Sequence, residues 1–151
     1  MKASENPRQS ETAMDTESEA GTPSGQDTGV ILVADDSDTN RALIALYFRG
    51  TPWRLDFAAD GHEAVARFAS GCYALILMDI RMPDMDGYEA TRRIRAMETE
   101  RGIAPTPIVA VTADAFPEHQ TRCLDAGCTD FLAKPVRKET LLGCVARHTR
   151  L

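Results

Sequence analysis

The stretch ALILMDIRMPDMDG, residues 74–87, decides how the rest of the chain is read. Residues 74–78 are apolar without interruption, the pattern of a parallel strand covered on both faces. The run stops at a single acid, Asp79, and Pro83, Asp86 and Gly87 then supply a turn and the start of a helix. Outward from this strand, predicted over residues 73–78, similar short runs occur at Val30–Ala34, Arg54–Ala58, 107–111 and Asp130–Ala133. Between them, apolar residues recur at spacings of three and four: Leu43, Leu46 and Tyr47; Val65, Phe68 and Ala69; Ala90, Ile94 and Met97; Leu141, Cys144, Val145 and His148. Each set puts one apolar stripe on a helix. A further helix over Pro117–Ala126 rests on Cys123 and Leu124, with Gly127 as its stop. Five strands alternating with five helices imply right-handed crossovers and a doubly wound α/β sheet.

The 151 residues, 43% of them hydrophobic, suffice for one domain with a real core but not for two. Residues 1–28 are expected to be a disordered acidic tail or linker. They hold no Val, Ile, Leu, Cys or aromatic side chain, so they cannot bury enough apolar surface to offset their ordering entropy. Lys2 and Arg8 there face Glu5, Glu11, Asp15, Glu17, Glu19 and Asp27, so the tail holds most of the net charge of −6. The folded domain is expected over residues 29–151. That negative balance argues against direct nucleic-acid binding. No apolar run approaches the roughly 20 residues of a membrane span, and no secretory signal opens the chain, so a cytoplasmic protein with no membrane contact is the expectation. Cys72, Cys123, Cys128 and Cys144 contain no C-x-x-C pair and read as small buried hydrophobes rather than a disulfide framework or zinc site. The three histidines lack metal-ligand spacing, and His148 reads as a half-buried side chain.

Ligands of an open parallel sheet bind beyond the carboxyl ends of its strands. Here those ends carry Asp35 and Asp36, Asp79, Thr112, and Lys134 before Pro135. Three ionised carboxylates within about 4–5 Å repel by roughly 3–4 kcal/mol per pair at an intermediate dielectric, so something positive belongs among them. Lys134 offsets one charge, and the rest invites a hard divalent cation such as Mg²⁺. A phosphoryl group arriving there would meet a cation, a lysine and a hydroxyl, the parts phosphoryl transfer needs, with a carboxylate as nucleophile. Asp79, a lone acid on the central strand, suits the nucleophile, and the adjacent pair Asp35 and Asp36 suits holding a metal.

This set, with Met82-Pro83-x-Met85-Asp86-Gly87 after Asp79, resembles the receiver domain of bacterial two-component response regulators. The segments DDSDTNR (residues 35–41) and MDIRMPDMDGYEATRRIR (78–95) are most similar to receivers of hybrid sensor histidine kinases. The resemblance covers about residues 29–149. It implies a flavodoxin-like (βα)5 fold with strand order 2-1-3-4-5 and a CheY-like phosphorelay role, in which Asp79 accepts phosphate from a phosphohistidine. It further implies Mg²⁺ held by Asp36, Asp79 and the backbone carbonyl of Arg81, with Asp35 in support, Thr112 and Lys134 on the phosphoryl group, and a cis Lys134-Pro135 bond. Partners would be a histidine kinase or a histidine-phosphotransfer protein, and a homodimer would form through the fourth helix, fifth strand and fifth helix. Such a chain is a signalling receiver rather than an enzyme, with only self-catalysed phosphorylation and dephosphorylation.

Phe131 stands at the family's switch position, where its lack of a hydroxyl leaves a gate by packing alone. Arg81 and Asp114 occupy the positions that tune phosphate lifetime, and their opposite charges suggest a pair across the mouth of the site. Residues 98–107 are longer than in the shortest receivers, which lengthens the third helix or its loop. Asp38 reads as the cap of the first helix. The alternatives are a receiver-like interaction module that works without phosphorylation and a haloacid-dehalogenase-type phosphatase. The latter would use Asp36-Ser37-Asp38-Thr39, where the threonine comes one residue early and no cap domain fits the length. The last helical pattern runs to the end of the sequence, so the chain is expected to be a stand-alone receiver or a piece of a larger sensor kinase.

Overall fold

The computed structural model describes residues 29–114 and 116–149. The tail expected over residues 1–28 and the last two residues of the expected domain lie outside the described residues. Strands β1 (Val30–Ala34), β2 (Arg54–Ala58), β3 (Leu75–Asp79), β4 (Ile108–Thr112) and β5 (Asp130–Ala133) alternate with helices α1 (Asp38–Tyr47), α2 (Gly61–Ser70), α3 (Gly87–Arg101), α4 (Pro117–Ala126) and α5 (Lys138–His148). All neighbouring strands are parallel, in the order β2-β1-β3-β4-β5. The doubly wound architecture and strand order match expectation. β3 and β4 start later than expected and run one residue further, so Asp79 and Thr112 belong to the strands themselves.

The three inner strands β1, β3 and β4 are buried along their whole length, which explains why they are apolar up to the last residue of β3, Asp79, and of β4, Thr112. Their residues sort by parity onto two cores. Leu32, Ala34, Ile76, Met78, Ile108 and Ala110 meet the apolar sides of α2, α3 and α4. Ile31, Val33, Leu75, Leu77 and Val109 meet α5 and the end of α1 through Leu141, Cys144, Val145 and Phe48. Burying each large side chain stabilises by roughly 1.5–3 kcal/mol, and truncating fully buried Leu77 to Ala costs about 2–5 kcal/mol.

Four local expectations change. Leu43 and Leu46 are 43% and 53% exposed, because α1 turns Ile44 and Tyr47 to the core instead. The cap of α1 is Ser37, whose hydroxyl accepts the Asn40 N–H at 3.2 Å, while Asp38 is the first helical residue and pairs with Arg41. Leu124 on α4 is exposed, and the helix packs through Cys123 and Ala126. Cys72 is exposed, in the turn before β3, whereas the other three cysteines are buried as expected. The extra length of residues 98–107 goes partly into α3, whose 15 residues end at Gly102 with φ of 65°, a left-handed stop. Buried Glu98 anchors the following loop by accepting the Thr106 N–H at 2.6 Å and pairing with Arg95 at 2.7 Å.

Candidate functional site

Strand register assembles the site. Ala34 is level with Met78, so the next residue on β1, Asp35, comes level with Asp79. Asp79 pairs with Val111 and Thr112 with Ala133, so Thr112 stands one step beyond Asp79 and Lys134 one step beyond Thr112. Asp35 and Asp79 are buried, and Asp36 is exposed at the rim. One carboxylate oxygen from each of Asp35, Asp36 and Asp79 lies within 4.8 Å of the others. Lys134 Nζ is 3.0 Å from Asp79 Oδ1 and 3.8 Å from Asp35 Oδ2. The peptide bond Lys134-Pro135 is cis.

Asp35 and Asp79 are each fixed by the turn that follows them. Asp35 Oδ1 accepts the Ser37 N–H at 2.9 Å, and the Asp35 N–H extends strand pairing to Ala58 O at 3.0 Å. Asp79 Oδ1 accepts the Arg81 N–H at 3.4 Å, tying the Arg81 backbone to the site while its side chain stays exposed. The chain then folds back through a largely exposed loop anchored by Met82 and Met85, which are buried against the core. Asp86 caps α3 by accepting the Glu89 N–H at 2.9 Å. Gly87 is needed for close approach: a Cβ there would sit 2.4 Å from the carbonyl oxygen of Asp79. Gly61 does the same for the carbonyl of Met85, also at 2.4 Å.

Burial pushes the Asp79 carboxyl above its ordinary range; the Lys134 hydrogen bond and charge pull it down, and the Asp35 charge adds to the rise. Two buried carboxylates and a third at the rim thus share one lysine, an oxygen-only donor set with surplus negative charge. That set fits a hard divalent cation of the Mg²⁺ type. Asp35, Asp36 and Asp79 would hold it, with backbone oxygen and water completing the shell.

Among the described residues, Thr112 makes no hydrogen bond to Asp79. Its hydroxyl forms a tight turn with its own loop, accepting the Asp114 N–H at 3.0 Å and donating to Asp114 O at 3.2 Å. No ion pair joins Arg81 to Asp114 among the described residues; the Asp114 carboxylate meets His119 of α4 at 2.9 Å instead. Arg81, Asp114, Thr112 and His119 nevertheless share the wall of one cavity of about 200 Å³. His119 has no counterpart among the residues singled out from sequence, since a histidine in the first turn of a helix carries no signature of its own. Phe131 is half-buried and packs against the core shared by α2, α3 and α4. A second cavity, of about 280 Å³, adjoins Asp35 and Lys134 and is walled by Leu43, Ile44, Tyr47 and Val136.

The fold is that of a flavodoxin-like α/β protein with an acidic pocket at the carboxyl ends of its strands. The family model for the response regulator receiver domain matches residues 31–146, and the chain belongs to that family. Receiver domains are signalling modules of two-component phosphorelays. The chain is 36% identical over 118 residues to the signal transduction histidine-protein kinase BarA of Escherichia coli, covering 78% of this chain and 12% of that protein. It spans only 5% to 12% of the length of such curated relatives. Among solved structures, the receiver domain of a Pseudomonas aeruginosa sensor histidine kinase, with magnesium coordinated in its active-site cleft, is 39% identical. It has a TM-score of 0.70, over 79% of this chain and 95% of that one. The co-crystal of the Saccharomyces cerevisiae phosphotransfer protein Ypd1 with the Ssk1 receiver domain matches at TM-score 0.76 and 31% identity, over 79% and 87%. Among the described residues no helix is long and apolar enough to cross a membrane.

Proposed function

We propose that the domain accepts a phosphoryl group from a phosphohistidine onto Asp79, with Mg²⁺ as cofactor, and later hydrolyses it in the same pocket. The observation that carries this reading is the placement of Asp79: buried, 3.0 Å from Lys134, and within 4.8 Å of two further carboxylates. Oδ1 is held by Lys134 and the Arg81 N–H, while Oδ2 has no protein hydrogen bond among the described residues and is free to form a new bond. Oδ2 attacks phosphorus in line; the O–P bond forms as the N–P bond of the donor breaks, and the leaving imidazole is protonated from solvent. Bound Mg²⁺ would draw charge from the phosphoryl oxygens. Lys134 holds one of those oxygens, and Thr112 releases its loop to hydrogen-bond another. Hydrolysis follows when water attacks phosphorus and the P–O bond to Asp79 breaks, giving inorganic phosphate. Arg81 and Asp114, on the wall of the neighbouring cavity, regulate that water's access.

Partners follow from the same reading. A donor helix would dock beside α1, where Leu43 lines the cavity adjoining Asp35 and Lys134 and Leu46 is exposed on the same helix. Output would leave by the face of α4, β5 and α5, as a homodimer, where Phe116 and Leu124 are 64% and 56% exposed. Intact mass spectrometry after incubation with a small phosphodonor and Mg²⁺ tests the proposal. One phosphoryl mass is expected, labile to hydroxylamine and lost in Asp79→Asn and with chelator. No gain from small donors or from a phosphorylated phosphotransfer protein would overturn it and leave a phosphorylation-independent interaction module.

A further inference from the structure

At the far end of β5 from Lys134, three side chains of metal-ligating type meet. Asp130 opens β5, and Cys144 and His148 stand four residues apart on α5, hence on one face of that helix. One ligand atom from each lies within 4.8 Å of the other two. His148 Nε2 is 2.9 Å from Asp130 Oδ2, and Cys144 Sγ is 3.8 Å from the same oxygen. We propose that Asp130, Cys144 and His148 bind one divalent transition-metal ion of the zinc type, with water as fourth ligand, clamping the end of α5 to the start of β5.

The donor chemistry favours such an ion. A sulfur, an imidazole nitrogen and a carboxylate oxygen suit zinc and disfavour magnesium or calcium, which take oxygen only. In a tetrahedral zinc site, metal–ligand bonds of about 2.0–2.3 Å place neighbouring ligand atoms roughly 3.3–3.7 Å apart. The observed 2.9 and 3.8 Å lie either side of that range, so small side-chain shifts would seat the ion. The Asp130 carboxylate is already turned the right way, because its Oδ1 accepts the Phe131 N–H at 2.8 Å and so directs Oδ2 toward the cluster. Cys144 is fully buried, while the side chains of His148 and Asp130 are 23% and 29% exposed, leaving an open side for entry and for the water ligand. Arg147 also reaches Oδ2, at 3.4 Å, but its side chain is 63% exposed and free to turn into solvent. On binding, the Cys144 thiol proton passes to solvent as the sulfur–metal bond forms; His148 binds as neutral imidazole and Asp130 as carboxylate. The oxygen-only pocket at Asp79 is a separate site, at the opposite end of the parallel strands.

Cobalt(II) added to the full chain in a Cys72→Ser background, with Mg²⁺ in excess to fill the acidic pocket, tests the proposal. A near-ultraviolet thiolate-to-cobalt band and the intense visible bands of four-coordinate cobalt are expected, saturating at one equivalent and erased by zinc. Cys144→Ser and His148→Gln should each abolish them. His148 is partly exposed, so His148→Gln should keep its far-ultraviolet circular dichroism even if Cys144→Ser fails to fold. Absence of the thiolate band in the parent protein, or its survival in His148→Gln, would overturn the proposal.

Discussion

Asp79 illustrates how a functional group can oppose stability at the scale of one residue. It is buried beside Asp35 with a single lysine between them, so its charge costs folding energy in the absence of a cation. Asp79→Asn should therefore stabilise the metal-free protein, read as a higher urea midpoint. Mg²⁺ should raise the melting temperature of the parent protein but not of the variant, as differential scanning calorimetry would measure. Tyr73 gives the pH counterpart away from the site. Its hydroxyl donates to Asp56 Oδ2 at 2.9 Å, and burial together with that carboxylate pushes its pKa from 10.0 to about 12. A raised folded-state pKa means the contribution is intact below pH 10.0 and is lost as pH rises toward about 12. Melting temperature should fall over that window in the parent and less steeply in Tyr73→Phe. The strand-end residues Asp35, Asp79, Thr112 and Lys134 were legible because each follows a short apolar run. The Asp114–His119 contact was not, because it depends on how α4 leaves its loop and on no spacing within the chain.

Among the elements, α1 and α3 mark where periodicity decides and where it does not. Two stripes of identical spacing overlap on α1, Leu43-Leu46-Tyr47 and Ile44-Tyr47-Phe48, and only the packing partner selects the second. Sequence pattern alone cannot separate stripes one residue apart. The strands were easier, since in β3 and β4 an apolar run covered on both faces gives way to a polar residue only at its last position, Asp79 or Thr112. α3 adds a fastening invisible in sequence. Arg95 pairs with Glu98 and also donates to Thr106 O and Gly127 O, at 2.8 and 2.9 Å, so one guanidinium joins α3 to the loop before β4 and the turn before β5. Removing one partner of a buried, hydrogen-bonded pair costs about 3 kcal/mol or more. Glu98→Ala should lose that much stability in urea denaturation while phosphorylation still occurs in the folded fraction, because Asp79 sits at the other end of the sheet.

For the molecule as a whole, signalling requires the phosphate pocket to be coupled to a distant face. Thr112 is poised for this, since its hydroxyl grips the backbone of Asp114 and any demand for that hydroxyl at Asp79 loosens the turn leading into α4. Thr112→Ala should still be phosphorylated, yet show little change in amide exchange across α4, β5 and α5; an undiminished response would place the coupling elsewhere. The distribution of thiols makes such motion convenient to follow. Cys72 is exposed, whereas burial raises the pKa of Cys123 and holds those of Cys128 and Cys144 at about 11, so in the metal-free protein these three are protonated and shielded. A maleimide dye would attach to the unmodified protein at one position. It would stand before Leu75, at the other end of β3 from Asp79, and the four strand steps between Leu75 and Asp79 alone span about 13 Å, which keeps the dye away from the pocket.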